Sequence, residues 1–95
     1  MFPKQKRIKN QDLIKVVQQK GCLICGQSPN DAHHVTSKGA GGGDTECNLM
    51  PLCRWHHSKI HSQGIYLFML THEIVEQWLK KKKRTDVLGY EPHEH

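Results

Sequence analysis

The residues able to do chemistry crowd into one stretch, Asp31 to His61, which reads DAHHVTSKGAGGGDTECNLMPLCRWHHSKIH and holds five of the chain's eight histidines and two of its four cysteines. Two metal-binding patterns are legible in and just before it. The first begins at Cys22-x-x-Cys25, followed by Gly26. Two thiolates at this spacing form a tight turn that presents both sulfurs to one ion. The spacing recurs at Cys53-x-x-His56 with one ligand changed. Together the pairs make a Cys3His set, which closes a tetrahedral zinc site with no open position and so has a structural role. Cys47 is the alternative ligand, and a four-cysteine set is open on count alone. The simplest competing reading is that the thiols are free and buried.

The second pattern is the histidines. His57 and His61 stand at i and i+4, on one face of a helix, and His33 can join them from a neighbouring strand. Three neutral imidazoles that leave coordination positions open suit a catalytic divalent ion: Mg2+, Mn2+, Ni2+ or Zn2+. Such an ion polarises a phosphate oxygen and stabilises the charge that grows on the leaving oxygen. His34 follows His33 and by strand alternation points to the opposite side. Histidine titrates near neutrality, which suits a group that takes a proton from water. Each of these residues alone would pass as an ordinary surface histidine. Their order, spacing and chemistry agree only when they are taken as a set.

The elements that must hold these residues are short. A helix is expected from about Asn10 to Lys20, capped by Asn10 or Asp12 and ended by Gly21, with Leu13, Ile14, Val16 and Val17 on its apolar side. Asp31 to Ser37 reads as a strand, helped by Val35 and Thr36. Lys38 to Asp44 is too rich in glycine for either regular element. Leu49, Met50 and Leu52 fit a second strand, which Pro51 places at an edge. Arg54 to Ser62 reads as a helix ended by Gly64. The apolar run Ile65 to Leu70 fits a buried strand or a helix start equally well. Thr71 to Arg84 is a further helix, with Thr71 as cap and Ile74, Val75, Trp78 and Leu79 as its buried stripe.

Totals limit what these elements can build. With 95 residues the chain makes one small domain, and small cores often need a metal, a disulfide or a partner. The expected organisation is a basic arm at 1–9, one domain at 10–84 with its core at 22–64, and a tail at 85–95. Fourteen Lys and Arg against nine Asp and Glu give a net charge of +5. The basic residues gather at Lys4, Lys6, Arg7 and Lys9 and again from Lys80 to Arg84, which points to a polyanion partner. The opening MFPKQKRIKN has no apolar leader segment, and no run reaches the length of a membrane span. A cytoplasmic, reducing setting with thiols held as metal ligands is the expectation.

The stretch resembles the HNH endonucleases, and in particular the small phage and bacterial members that carry a zinc knuckle. The likeness rests on His33-His34, the loop Gly39 to Asp44, the run Asn48-Leu49-Met50-Pro51-Leu52-Cys53, and His57-Ser58-Lys59-Ile60-His61, and covers about forty residues from Cys22. It implies an α+β fold with a ββα-metal core stapled by zinc, which the helices read on either side of the stretch, N- and C-terminal, would flank. It also implies metal-dependent hydrolysis of DNA phosphodiesters, by cleavage or nicking, leaving 5′-phosphate and 3′-hydroxyl ends. His34 matches the general base. Asn48 matches the residue whose amide braces the loop and keeps His34 aimed. His57 matches the last histidine of the motif, and His33, His57 and His61 are the candidate ligands of the catalytic ion. Many relatives have Cys-x-x-Cys where this chain has Cys53-x-x-His56, so His56 stands directly beside His57 and an exchange of roles between them stays open. Lys38, Arg54, Lys59 and the Lys80 to Arg84 run are candidate contacts to the phosphate backbone. The rival expectation is a non-catalytic zinc module that binds DNA or serves a phage packaging or recombination machine. No dimer face is legible in the sequence.

Overall fold

The computed structural model describes residues 8–89. It is a small α+β domain in which five helices surround a two-stranded antiparallel sheet. Most of the basic arm, and His93 and His95 in the C-terminal tail, lie outside the described residues.

Helix α1 spans Gln11–Gln19, with the Asn10 side chain accepting a hydrogen bond from the Leu13 N–H. That satisfies one of the donors that a helix start leaves open. The helix ends at Lys20 in extended backbone, not at Gly21 through a left-handed turn. Gly21 is needed for another reason: a Cβ there would stand 2.9 Å from the carbonyl oxygen of Gly26.

Strand β1 is Asp31–His34 and stops short of the expected Ser37, while β2 is Leu49–Leu52. Asp31 pairs with Leu52, His33 with Met50 and His34 with Leu49. Cross-strand partners point to the same face. His33 therefore shares the face of Met50, and His34 the face of Leu49. Both strands contact α1 and also the next helix, α2 at Arg54–Gln63. With both faces covered, every residue of β2 is buried.

Gly64, at φ +85°, ends α2 and opens α3 at Ile65–Thr71, so the ambiguous apolar run is a helix. Helix α4 is shorter than expected, at Glu73–Lys81. Its cap is His72 and not Thr71, which closes α3 by donating its hydroxyl to the Leu67 carbonyl. Of the expected stripe, Val75 and Leu79 are fully buried and Trp78 packs at the core's edge, but Ile74 faces outward. The segment after Arg84 is not simply a tail. Thr85–Leu88 forms α5, and Leu88 joins Met50, Leu52, Ile60, Phe68, Val75 and Leu79 in the core. No described helix is long and apolar enough to cross a membrane.

Candidate functional site

The turn after α1 folds back on itself through bonds from Cys22 N–H to the Gln27 carbonyl and from Gly26 N–H to the Cys22 carbonyl, at 2.8 and 2.9 Å. Gly26 sits at φ +76°, a conformation open to glycine. Leu23 N–H then donates to the Pro51 carbonyl at 2.8 Å, which ties the turn to β2 and to Cys53 beyond it. Cys22, Cys25, Cys53 and His56 converge as a result, their ligand atoms all within 4.8 Å of one another.

The spacings within this group are close enough for all four residues to share one ion. Zinc–sulfur bonds of about 2.3 Å place two sulfurs about 3.8 Å apart. Sγ of Cys25 lies 3.8 Å from Sγ of Cys53, and Nδ1 of His56 lies 3.7 and 3.1 Å from Sγ of Cys22 and Cys53. Burial opposes ionisation of Cys22, but backbone hydrogen bonds at Cys25, Cys53 and Ile24 outweigh it and hold the thiol below its ordinary pKa. The Cys25 thiol also gains a backbone hydrogen bond, at Gln27, yet burial and the neighbouring thiols push it up. Crowded sulfurs that compete to carry charge are what a dication relieves. Burial, with His72 nearby, lowers the pKa of His56 and so favours the neutral form that a ligand requires. Cys47 is exposed and lies against the Thr45 hydroxyl at 3.4 Å, apart from this cluster.

His33, His57 and His61 form the second group. Nε2 of His57 lies 3.1 Å from Nε2 of His61, and the His33 ring stands edge-on to both, with centroids 5.0 and 5.3 Å away. Two nitrogens at about 2.1 Å from one ion are about 3.0 to 3.4 Å apart at neighbouring coordination positions. Burial first, and then the neighbouring histidines, push the His33 pKa down to about 4, so it stays neutral across the physiological range. Asp31 completes the arrangement: its Oδ2 lies 2.8 Å from Nδ1 of His57. A carboxylate there holds the proton on Nδ1 and leaves Nε2 free as a ligand atom. The sequence reading does not single out Asp31. A signal existed, because Asp31 and His33 are two apart on one strand and so share a face.

His34 borders the same cleft as His33, His57 and His61 although strand alternation turns it to the other face of the sheet. Its Nε2 lies 2.8 Å from Oδ1 of Asp44, whose side chain is fully buried. Oδ2 of Asp44 accepts the Asn10 N–H at 2.8 Å, so the start of α1 helps to fix the carboxylate. A proton shared between Nε2 and this carboxylate leaves Nδ1 of His34 as the basic nitrogen. Asp44 is the second such residue: the sequence places it at the end of the glycine loop but does not mark its partner.

Asn48 is buried and bridges the two ends of that loop. Its Oδ1 accepts the Thr36 N–H at 2.7 Å, and its Nδ2 donates to the carbonyls of Thr36 and Gly43 at 3.1 and 2.8 Å. Gly42 lies so close beneath that a Cβ would stand 1.8 Å from the Thr36 carbonyl oxygen.

Arg84 corrects an expectation. It stood in the basic run as a phosphate contact, but it is buried, and its guanidinium donates to the Cys47 carbonyl, Asn48 Oδ1, Thr36 Oγ1 and both oxygens of Asp86, at 2.7 to 3.1 Å. Lys80, in the same run, is paired with Glu76. Of the remaining candidate cations, Lys38 lines the cleft. Arg54 is exposed and reaches Asp31 at 3.3 Å. Lys59 lies over the Trp55 ring, two positions from His57 and thus on the far side of α2 from the cleft.

A small α+β domain with one Cys3His cluster and a histidine-lined cleft is the class that fold and geometry define. A family model described as a protein of unknown function, DUF968, matches residues 1–81, and the chain belongs to this family. It is similar over 67 residues, 67% of its length and at 32% identity, to a protein of Escherichia coli (strain K12) described as uncharacterized protein YdfU. The chain spans about a fifth of that relative's length, 19%. No solved structure matches.

Proposed function

We propose that this domain is a metal-dependent DNA endonuclease or nickase of the HNH, ββα-metal type. The observation that carries the reading is the pairing of His34 with Asp44 at the rim of a cleft that also holds His33, His57 and His61. A metal-binding module needs no such pair. The Cys3His cluster would hold a structural zinc that joins the first turn to the start of α2.

The donor set His33, His57 and His61 fits a divalent ion. When bound, the ion supplies Lewis acidity toward a phosphate oxygen and the leaving 3′ oxygen. The chain's own residues do the rest. Nδ1 of His34 accepts a proton from the attacking water. Asp44, at Nε2, stabilises the imidazolium that results, as a buried carboxylate does for a catalytic histidine. Asn48 braces Thr36 and Gly43, the two sides of the loop that ends at Asp44. Lys38, which lines the cleft, would meet the phosphate backbone.

The test is cleavage of supercoiled plasmid by the purified protein in magnesium, manganese, nickel or zinc, with His34→Ala run alongside. The reading expects nicking or linearisation by the native protein and none by the variant. Equal cutting by both would mean a contaminant or a misassigned base. DNA binding without cutting in any ion would favour the zinc-stabilised binding module, with a packaging or recombination protein as its partner class.

A further inference from the structure

We infer that Arg84, with Asp86, is a positioning residue for the proposed nuclease site, acting through Asn48 and Thr36. The inference rests on the nuclease reading for its catalytic part and on geometry alone for its structural part.

Arginine carries five N–H donors in a rigid planar fork. Here the fork is used on one target, the joint between β1, β2 and the glycine loop. One amine donates to the Cys47 carbonyl at 2.8 Å and to Asn48 Oδ1 at 3.1 Å, and the other to Thr36 Oγ1 at 2.7 Å. Asp86 takes the remaining edge with two bonds of 2.9 Å, which holds the guanidinium in plane. Asn48 Oδ1 is the atom that also accepts the Thr36 N–H. Arg84 therefore locks the amide's orientation: with a cation at Oδ1, Nδ2 must face the Thr36 and Gly43 carbonyls. Those carbonyls flank the loop that carries Asp44 to His34. A displacement of Asn48 would pass to Asp44 and on to the imidazole that Asp44 orients. The bracing residues lie after residue 81, beyond the stretch the family model matches.

A surface arginine in a basic run would instead act on DNA. The two roles differ in measurable ways. We would compare the native protein with Arg84→Ala and Arg84→Lys in plasmid cleavage, and measure duplex affinity against salt. The positioning role expects kcat to fall about 10- to 100-fold in Arg84→Ala, the range typical of residues that orient a metal or catalytic group. It expects duplex affinity and its salt slope to stay unchanged, because a buried guanidinium releases no counterions from DNA. Added guanidinium should restore part of the rate, whereas equal sodium chloride should not. Arg84→Lys keeps the buried charge without the fork and should fall between the two, which keeps the test valid if Arg84→Ala does not fold.

A loss of affinity and a salt slope smaller by about one, at unchanged kcat, would overturn the inference and restore the phosphate contact. Unchanged kcat and affinity would overturn it outright. Hydrogen exchange of the Asn48 side-chain amide separates failure of this inference from failure of the nuclease reading. If the native protein cuts no DNA but Asn48 exchanges slowly there and fast in Arg84→Lys, the brace stands and the nuclease reading falls. If exchange is the same in both, the brace is overturned whatever the activity.

Discussion

Nε2 of His34 and Oδ1 of Asp44 lie 2.8 Å apart although ten positions separate them in the chain, and the carboxylate is wholly shut off from solvent. A buried carboxylate needs partners for its oxygens, and Asp44 takes the imidazole on one oxygen and the Asn10 N–H on the other. The pair thus joins the end of the glycine loop to the strand and to the helix start. Under the proposed function it also sets which nitrogen of His34 is basic.

His34→Ala should lower plasmid cleavage by about 10²- to 10⁴-fold, the range for loss of a general base. His34 is only partly buried and lies outside the core cluster. The wholly buried Asp44 would nonetheless lose its imidazole partner, so the melting temperature should fall as well, and circular dichroism against temperature separates that loss from the loss of chemistry.

Asp44→Asn keeps the shape and removes the charge. The amide cannot stabilise an imidazolium as a carboxylate does, so cleavage should fall at least about tenfold. A rate equal to that of the native protein would remove Asp44 from the proposed chemistry.

The two metal sets should separate cleanly. Substituting His33, His57 and His61 with Ala should leave one tightly bound zinc per chain, while Cys22→Ser should abolish it and unfold the domain. Structural zinc in small domains carries much of the folding free energy. Cobalt loading gives an optical check, because thiolate ligands produce a charge-transfer band that imidazoles do not. Cys47→Ala should leave that band unaltered, as Cys47 lies apart from the cluster.

Leu88→Ala tests whether the chain after Arg84 belongs to the domain. Leu88 is buried in the core with Met50, Phe68 and Leu79. Removing a buried leucine side chain costs about 2–5 kcal/mol. In a domain of this size that lowers the Tm by about 10 °C or more. A tail residue would show no change.

Gly42→Ala should be among the most damaging small substitutions. Its Cβ would overlap the Thr36 carbonyl at 1.8 Å and crowd Asn48 Nδ2 at 2.9 Å. The backbone must move at the very joint that Asn48 braces, so stability and cleavage should fall together. Gly39→Ala, where a Cβ meets nothing within 4 Å, is the control in the same loop.

Much of the site was legible because metal chemistry demands particular residue types at short spacings. Cys22-x-x-Cys25, Cys53-x-x-His56 and the i, i+4 pair His57 and His61 are local patterns, and a turn or a helix suffices to bring each pair together. The α+β class and the start of α2 follow from equally local cues, the strand residues Leu49 to Leu52 and the helix that begins after Cys53. Helix limits were less legible. Thr71 has the residue type of a cap but is the last residue of α3, and the extended backbone at His72, whose ring packs on Phe68, separates α3 from α4.

The sequence by itself determined the local ligand pairs, Cys22 with Cys25, Cys53 with His56 and His57 with His61, since each pair lies within one turn or one helix. Only the tertiary structure decided the partners across long separations. It set Asp31 on His57, Asp44 on His34, and Arg84 on Asn48 and Thr36, and it left Cys47 outside the zinc cluster. The reason is physical. A carboxylate or guanidinium reads as surface charge until the fold removes it from water, and then it must find hydrogen-bond partners wherever the chain has brought them.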